Sequence, residues 1–113
     1  MEKRRTGGVV SGDAWIGDVA DCDVIIHDDM IVSGGTIARA TQAARTAGAR
    51  RVIVAATHAA LVPAAARLLG ADGPDLILVS DSIELPSDSP FFGHERLRVC
   101  PLAAAFAARL RSL

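Results

Sequence analysis

The stretch VIIHDDMIVSGGTIARATQAARTAG, residues 24–48, constrains the fold more than any other part of the chain. A β-branched run ends in two carboxylates, a short loop with paired glycines follows, and apolar residues then recur at Ile37, Ala40, Ala44 and Ala47, which is helical spacing. The pattern predicts a strand over Val24–Asp28 and a helix over Thr36–Ala47. Gly48 closes that helix as its C′ residue, and Arg45 in the last turn suits the negative end of the dipole.

The same alternation recurs downstream. Arg51–Thr57 carries Val-Ile-Val and reads as a second buried strand, reached by a crossover helix of the right length for a parallel βαβ unit. A helix is expected over Leu61–Leu69, with Pro63 in its first turn and Gly70 after its end. Leu76–Ser80 and Leu97–Cys100 are the third and fourth strands, and an alanine-rich helix follows over Leu102–Leu110. Between those strands, residues 81–96 hold Pro86, Pro90 and Gly93 and read as a long loop. Gly8–Gly17 suggests an extended stretch or hairpin. No linker interrupts the pattern, so residues 1–113 are expected to form one α/β domain: a three-layer, mostly parallel sheet with helices on both faces.

Half of the residues are apolar, but with three Phe, one Trp and no Tyr the core must be filled by Ala, Val, Ile and Leu. Such a core lets helices lie close to a sheet. The formal net charge of −1 gives no global field for nucleic acid or an anionic membrane, so any anion site is local. Cys22 and Cys100 stand far apart without a CxxC pair, which speaks against a zinc site or disulfide framework and for two thiols in a reducing cytosol. The basic start MEKRRTGG lacks the apolar segment of a signal peptide, and no apolar run is long enough to span a bilayer. A soluble, cytoplasmic protein is expected.

Parallel α/β sheets bind ligands beyond the carboxyl ends of their strands, and Asp28 and Asp29 are expected at such an end. Ser33, Gly34, Gly35 and Thr36 then lead into a helix N-terminus, whose free N–H groups and dipole favour an anion. Glycine backbone at 34 and 35 can close around a phosphate, and the hydroxyls of Ser33 and Thr36 add donors. The carboxylates suit sugar hydroxyls or a hydrated Mg²⁺. Together these groups describe a phosphorylated sugar. The plainer alternative makes Asp28 and Asp29 turn residues and Thr36 a helix cap. A Walker loop is ruled out because GxxxxGK[ST] is absent, and the dinucleotide fingerprint GxGxxG is absent too.

On these residues VIIHDDMIVSGGTIARA resembles the phosphoribosyl-diphosphate motif of type I phosphoribosyltransferases. More narrowly, Glu2-Lys3-Arg4-Arg5, Gly17-Asp18-Val19, Asp28-Asp29-Met30-Ile31, Thr57-His58 and Ser80-Asp81-Ser82-Ile83 fall in the order found in the C-terminal half of ribose-phosphate diphosphokinases, the phosphoribosyl diphosphate synthetases. The similarity runs along nearly the whole chain. It implies that Ser33, Gly34, Gly35 and Thr36 cradle the 5-phosphate of ribose 5-phosphate, and that Asp28 and Asp29 hold the ribose hydroxyls. It also implies that Lys3 and Arg5 supply catalytic charge as the β,γ-diphosphoryl group of ATP moves to the C1 hydroxyl in the presence of Mg²⁺. Read alone, the same basic segment is a solvated terminus.

The chain departs from the family pattern DDMIDTAGT at Val32, where relatives carry a third carboxylate, and more mildly at Ser33 and Gly34. A homologous N-terminal half that contributes ATP contacts is expected to be absent. ATP would then be met through a partner chain, and uncovered apolar surface implies a homo-oligomer. Two further readings stay open. One is a non-catalytic module that binds ribose 5-phosphate or phosphoribosyl diphosphate. The other is a nucleobase phosphoribosyltransferase with Phe91-Phe92 in its hood. His27 reads as a buried neutral imidazole or a neighbour that tunes Asp28, His58 as ligand contact or structural hydrogen bonder, and Asp81-Ser82 as a turn.

Overall fold

The structure is a computed structural model and describes residues 10–11, 14–15 and 17–113; Lys3 and Arg5 lie outside them. Two short strands, β1 (Val10–Ser11) and β2 (Ala14–Trp15), pair antiparallel with Val10 opposite Trp15, as the expected hairpin. Four parallel strands form the main sheet in the order β3 (Asp23–Ile31), β4 (Arg51–Ala59), β5 (Leu76–Ser80) and β6 (Leu97–Cys100).

Spatial order equals chain order, and crossovers of one hand then fall on one face. That face carries α1 (Gly35–Thr46) after β3, a 3-10 helix (Pro63–Leu69) after β4, and the 81–96 loop after β5. Ile37 of α1, Leu68 of the 3-10 helix and Phe91 of the loop meet Val54, Ile77 and Leu97 in one buried cluster. A second cluster joins Ala44 to Val19, Val24 and Val52. α1 buries Ile37, Ala40, Thr41 and Ala44, one stripe at helical spacing, and its small alanines bring the helix axis close to the strands. α2 (Leu102–Arg111) begins on the opposite face, where Leu102 stands with His27, Ala55 and Leu78; none of its residues is buried.

α1 ends as its glycine predicts. Gly48 has φ +91°, its N–H bonds the carbonyl of Arg45 at 2.9 Å, and the N–H of Ala49 bonds that of Ala44 at 3.0 Å, a Schellman pair. Three expectations need correction. β3 runs on past Asp28 to Ile31, and β4 past Thr57 to Ala59. The segment after β4 is a tight 3-10 helix confined to Pro63–Leu69, with no helical structure at Leu61. His27 is exposed rather than buried.

The longer strands have a physical reason. β5 pairs with β4 only as far as Ala56 opposite Val79, so beyond that point β3 and β4 form a two-stranded ribbon, with Met30 opposite His58 and Ile31 opposite Ala59. Two-stranded ribbons twist more than wide sheets. The burial alternation shifts there: Val24, Ile26 and Asp28 share the covered face, yet beyond them Ile31 is buried and Met30 exposed. The twist thus turns the chain that leaves β3 over the N-terminus of α1.

Candidate functional site

Val32, Ser33 and Gly34 connect β3 to α1. Gly34 is the N-cap, with φ +77° and ψ 7°, a left-handed conformation that side chains resist. No side chain caps the helix and its first turn holds no acidic residue, so the N–H groups of Gly35, Thr36 and Ile37 have no side-chain acceptor among the described residues. Thr36 is therefore not the cap that the plainer reading made it. The first intrahelical bond runs from the N–H of Ala38 to the carbonyl of Gly34, at 2.8 Å.

Over this helix end lies a cavity of about 200 Å³, lined by Asp28, Met30, Val32, Ser33, Gly34, Gly35, Thr36 and neighbouring isoleucines. The structure brings Asp28 together with the whole Ser33–Thr36 loop. Asp29 does not line the cavity, because adjacent strand residues face opposite sides of a sheet. Its N–H instead donates to Asp28 Oδ1 at 2.8 Å, which orients the Asp28 carboxylate. The acidic pair thus sits within β3, shortly before its end at Ile31. Val32 is 45% exposed and puts an apolar wall along the cavity.

The arrangement can hold an anion on backbone N–H groups and hydroxyls, with one half-buried carboxylate a short way off as a hydroxyl acceptor. It also suits a divalent cation that arrives with its anion, since Mg²⁺ takes one or two carboxylates plus substrate phosphates. Among the described residues no group of three or more His, Cys, Asp and Glu is placed to hold a metal by itself.

His58 and the segment after β5 make a network of their own. His58 Nδ1 pairs with Ser82 Oγ at 2.7 Å, Ser80 Oγ donates to the Thr57 carbonyl at 2.5 Å, and Ser82 N–H donates to Ser80 Oγ at 3.1 Å. Asp81 Oδ1 accepts from the Leu102 N–H at 2.9 Å and so ties this turn to the start of α2. These are structural bonds, in keeping with the turn reading of Asp81 and Ser82. Phe91 is 1% exposed and belongs to the core, so only Phe92, 57% exposed, is free to meet a ligand, and the aromatic pair forms no hood.

Sequence reasoning missed two guanidinium groups. Arg67 donates from Nε and Nη2 to the Ser33 carbonyl at 3.3 and 3.2 Å, and Arg39 Nη1 points to the same side of Gly35. Arg67 lies far away in the chain and carried no local signal. Arg39 is four residues beyond Gly35 on one helix face, a spacing that offered one.

The chain is 42% identical over 98 residues, 87% of its length, to the ribose-phosphate pyrophosphokinase of Haemophilus influenzae, and covers 30% of that protein. It is 38% identical over 114 residues to that of Haemophilus ducreyi, which accounts for 100% of this chain and 35% of the relative. The crystal structure of phosphoribosylpyrophosphate synthetase from Mycobacterium smegmatis superposes with a TM-score of 0.73 and 35% identity over 86% of this chain and 32% of that one. The chain thus spans about a third of the length of the curated relatives it matches. No family model matches it.

Proposed function

We propose that this chain, homologous over most of its length to about a third of the ribose-phosphate pyrophosphokinases, is the sugar-phosphate-binding unit of such an enzyme. The observation that supports this reading is the cavity over α1, where uncapped N–H groups, two hydroxyls and the oriented Asp28 carboxylate converge. Ser33, Gly34, Gly35 and Thr36 would take the 5-phosphate of ribose 5-phosphate or phosphoribosyl diphosphate. Asp28 would accept from a ribose hydroxyl, and Asp29, on the other side of the strand, would serve by orienting it.

In the reaction that goes with this reading, the C1 hydroxyl oxygen of ribose 5-phosphate bonds to the β-phosphorus of ATP. The bond from that phosphorus to the α–β bridging oxygen breaks, AMP departs, and the hydroxyl proton is lost. A Mg²⁺ carried by the phosphates would neutralise developing charge, with Asp28 as its protein-side carboxylate. The chain's own contribution is to fix the sugar, and Lys3 and Arg5 are the proposed cations for the transferred group. ATP is proposed to be held with a separate partner chain, and this chain itself is proposed to form a homo-oligomer. Light scattering at micromolar concentration should return a dimer or larger, and a monomer mass would overturn that part.

Isothermal titration with ribose 5-phosphate and Mg²⁺ tests the site. A Cβ at Gly35 meets only ordinary van der Waals neighbours, at 3.5 Å or more, so Gly35→Val should fold while its methyls press on the Ser33 hydroxyl and the guanidinium tips that border the cradle. Binding by the parent that Gly35→Val abolishes, with unphosphorylated ribose bound by neither, is the expected result. Equal binding by both proteins would remove the site from the loop.

A further inference from the structure

A backbone loop that wraps an anion carries carbonyls as well as N–H groups, and a carbonyl turned inward would repel the ligand. Ser33, immediately before the left-handed Gly34, has the carbonyl most at risk. It is held by Arg67, whose Nε and Nη2 share that one oxygen at 3.3 and 3.2 Å. Arg67 is not among the cavity-lining residues whereas Ser33 is, so the guanidinium holds the carbonyl from outside the cavity. The next residue, Leu68, packs on the same turn: a Cβ at Gly34 would stand 2.7 Å from its Cδ1. Two successive residues of the 3-10 helix thus fix the loop, one by charge and one by shape.

A second feature concerns Gly35, the first residue of α1. Its missing Cβ would have Arg67 Nη2 at 3.5 Å, Arg39 Nη1 at 3.8 Å and Ser33 Oγ at 3.8 Å as its nearest neighbours. Two cations and a hydroxyl therefore converge on one backbone position beside the cavity. Neither arginine has a carboxylate partner among the described residues, where the ion pairs belong to Arg45, Arg50 and Arg51. Like charges gathered at one backbone position repel one another, and an anion bound at the adjoining helix end relieves that repulsion.

From this convergence we infer that Arg67 is a positioning residue for the anion loop and that, with Arg39, it makes the cradle selective for a phosphorylated sugar over a neutral one. The inference rests on the sugar-phosphate reading of the cavity. Arg67 acts through the Ser33 carbonyl, which keeps the N–H groups of Gly34 to Thr36 facing the ligand. Arg39, which rises from the first turns of α1, adds field without touching the loop carbonyl.

Arg67→Met keeps the aliphatic stem and removes the donors, whereas Arg67→Lys keeps the charge. Ribose 5-phosphate should bind Arg67→Met about tenfold or more weakly, as loss of a charge-assisted bond predicts, and Arg67→Lys within about threefold of the parent. Arg39→Gln should weaken ribose 5-phosphate about threefold and leave the urea midpoint unchanged. In the ligand-free chain, amide exchange at Gly34 and Gly35 should quicken about tenfold in Arg67→Met and stay at parent rates in β4 and β5. Parent-like affinity and exchange in Arg67→Met would overturn the inference with the site intact. Faster exchange in Arg67→Met together with a parent chain that binds no ribose 5-phosphate would instead sink the sugar-phosphate reading and keep Arg67 only as a loop clamp, so the ligand role would fall with it.

Discussion

Leu68 occupies the space that a side chain at residue 34 would need: a Cβ on Gly34 would lie 2.7 Å from Leu68 Cδ1 and 2.9 Å from its Cγ. Gly34 also holds φ +77°, where a Cβ adds roughly 1–2 kcal/mol of strain. Gly34→Ala should therefore destabilise the chain by about 2–4 kcal/mol in urea denaturation, strain and overpacking together. Leu68→Ala alone should cost about 2–5 kcal/mol through the cavity it leaves. The double variant should fall short of the sum by about 0.5–3 kcal/mol, since Leu68→Ala removes the clash. Gly35→Ala, with φ outside the left-handed region and no close neighbour, should stay within about 0.5 kcal/mol of the parent. Strict additivity of the first pair would show that Leu68 is not what excludes a side chain at 34.

The contrast between those glycines was not legible in the sequence, where GG reads as one feature. Only the docking of the 3-10 helix separates them, and that helix was itself misjudged because PAAARLL has the spacing of an α-helix as much as of a tighter one. The strands and α1 were legible because their burial is local: Ile37, Ala40 and Ala44 recur at helical spacing, and Val52, Val54 and Ala56 alternate. Where burial depends on which strands continue, as at Met30 and Ile31 in the ribbon beyond β5, the alternation gave no warning. The Arg67 bond to Ser33 spans 34 residues, and nothing near either residue announces it.

Val32 faces the cavity from an exposed position, so Val32→Asp should change stability by no more than about 0.5 kcal/mol. Its effect on ligand depends on the metal. Without Mg²⁺ a new carboxylate repels the sugar phosphate, and affinity for ribose 5-phosphate should drop about threefold; with Mg²⁺ it can share the cation with Asp28, and affinity should rise about three- to tenfold. Titrations in EDTA and in millimolar Mg²⁺ read the two directions. The same sign in both would show that a carboxylate at position 32 does not share the cation with Asp28.

Asp23, at the start of β3, accepts from Arg51 and from Arg50 Nε, the latter at 2.9 Å. The Arg51 hydrogen bond first, then that of Arg50, hold its carboxyl far below the ordinary value of 3.8. A depressed folded value means that its contribution is present above the unfolded pKa and is lost as pH falls through the folded one. Asp23→Asn should therefore lower Tm by a similar small amount at pH 7 and at pH 5, with the gap narrowing only in strong acid. High salt should shrink it at every pH, as the pair is solvent-exposed. A gap that closes between pH 7 and pH 5 would assign the effect to another group.

The 81–96 loop is anchored by two residues of different kinds, and substitutions should tell core from surface. Phe91 is 1% exposed among the residues that cover β5 and β6, whereas its neighbour Phe92 is 57% exposed. Arg96, half-buried, donates to the carbonyls of Leu69, Gly70 and Pro74 and so satisfies the end of the 3-10 helix. Phe91→Ala should cost about 3–5 kcal/mol. Arg96→Ala should cost about 2–3 kcal/mol because it strips a charged donor from several carbonyls at once. Phe92→Ala should stay within about 0.5 kcal/mol and leave ribose 5-phosphate affinity unchanged. The last result separates the readings directly: a base-recognising hood built on this loop would lose nucleobase affinity with Phe92→Ala, whereas a loop that serves only to roof the sheet would lose nothing at its exposed tip and nearly everything at Phe91.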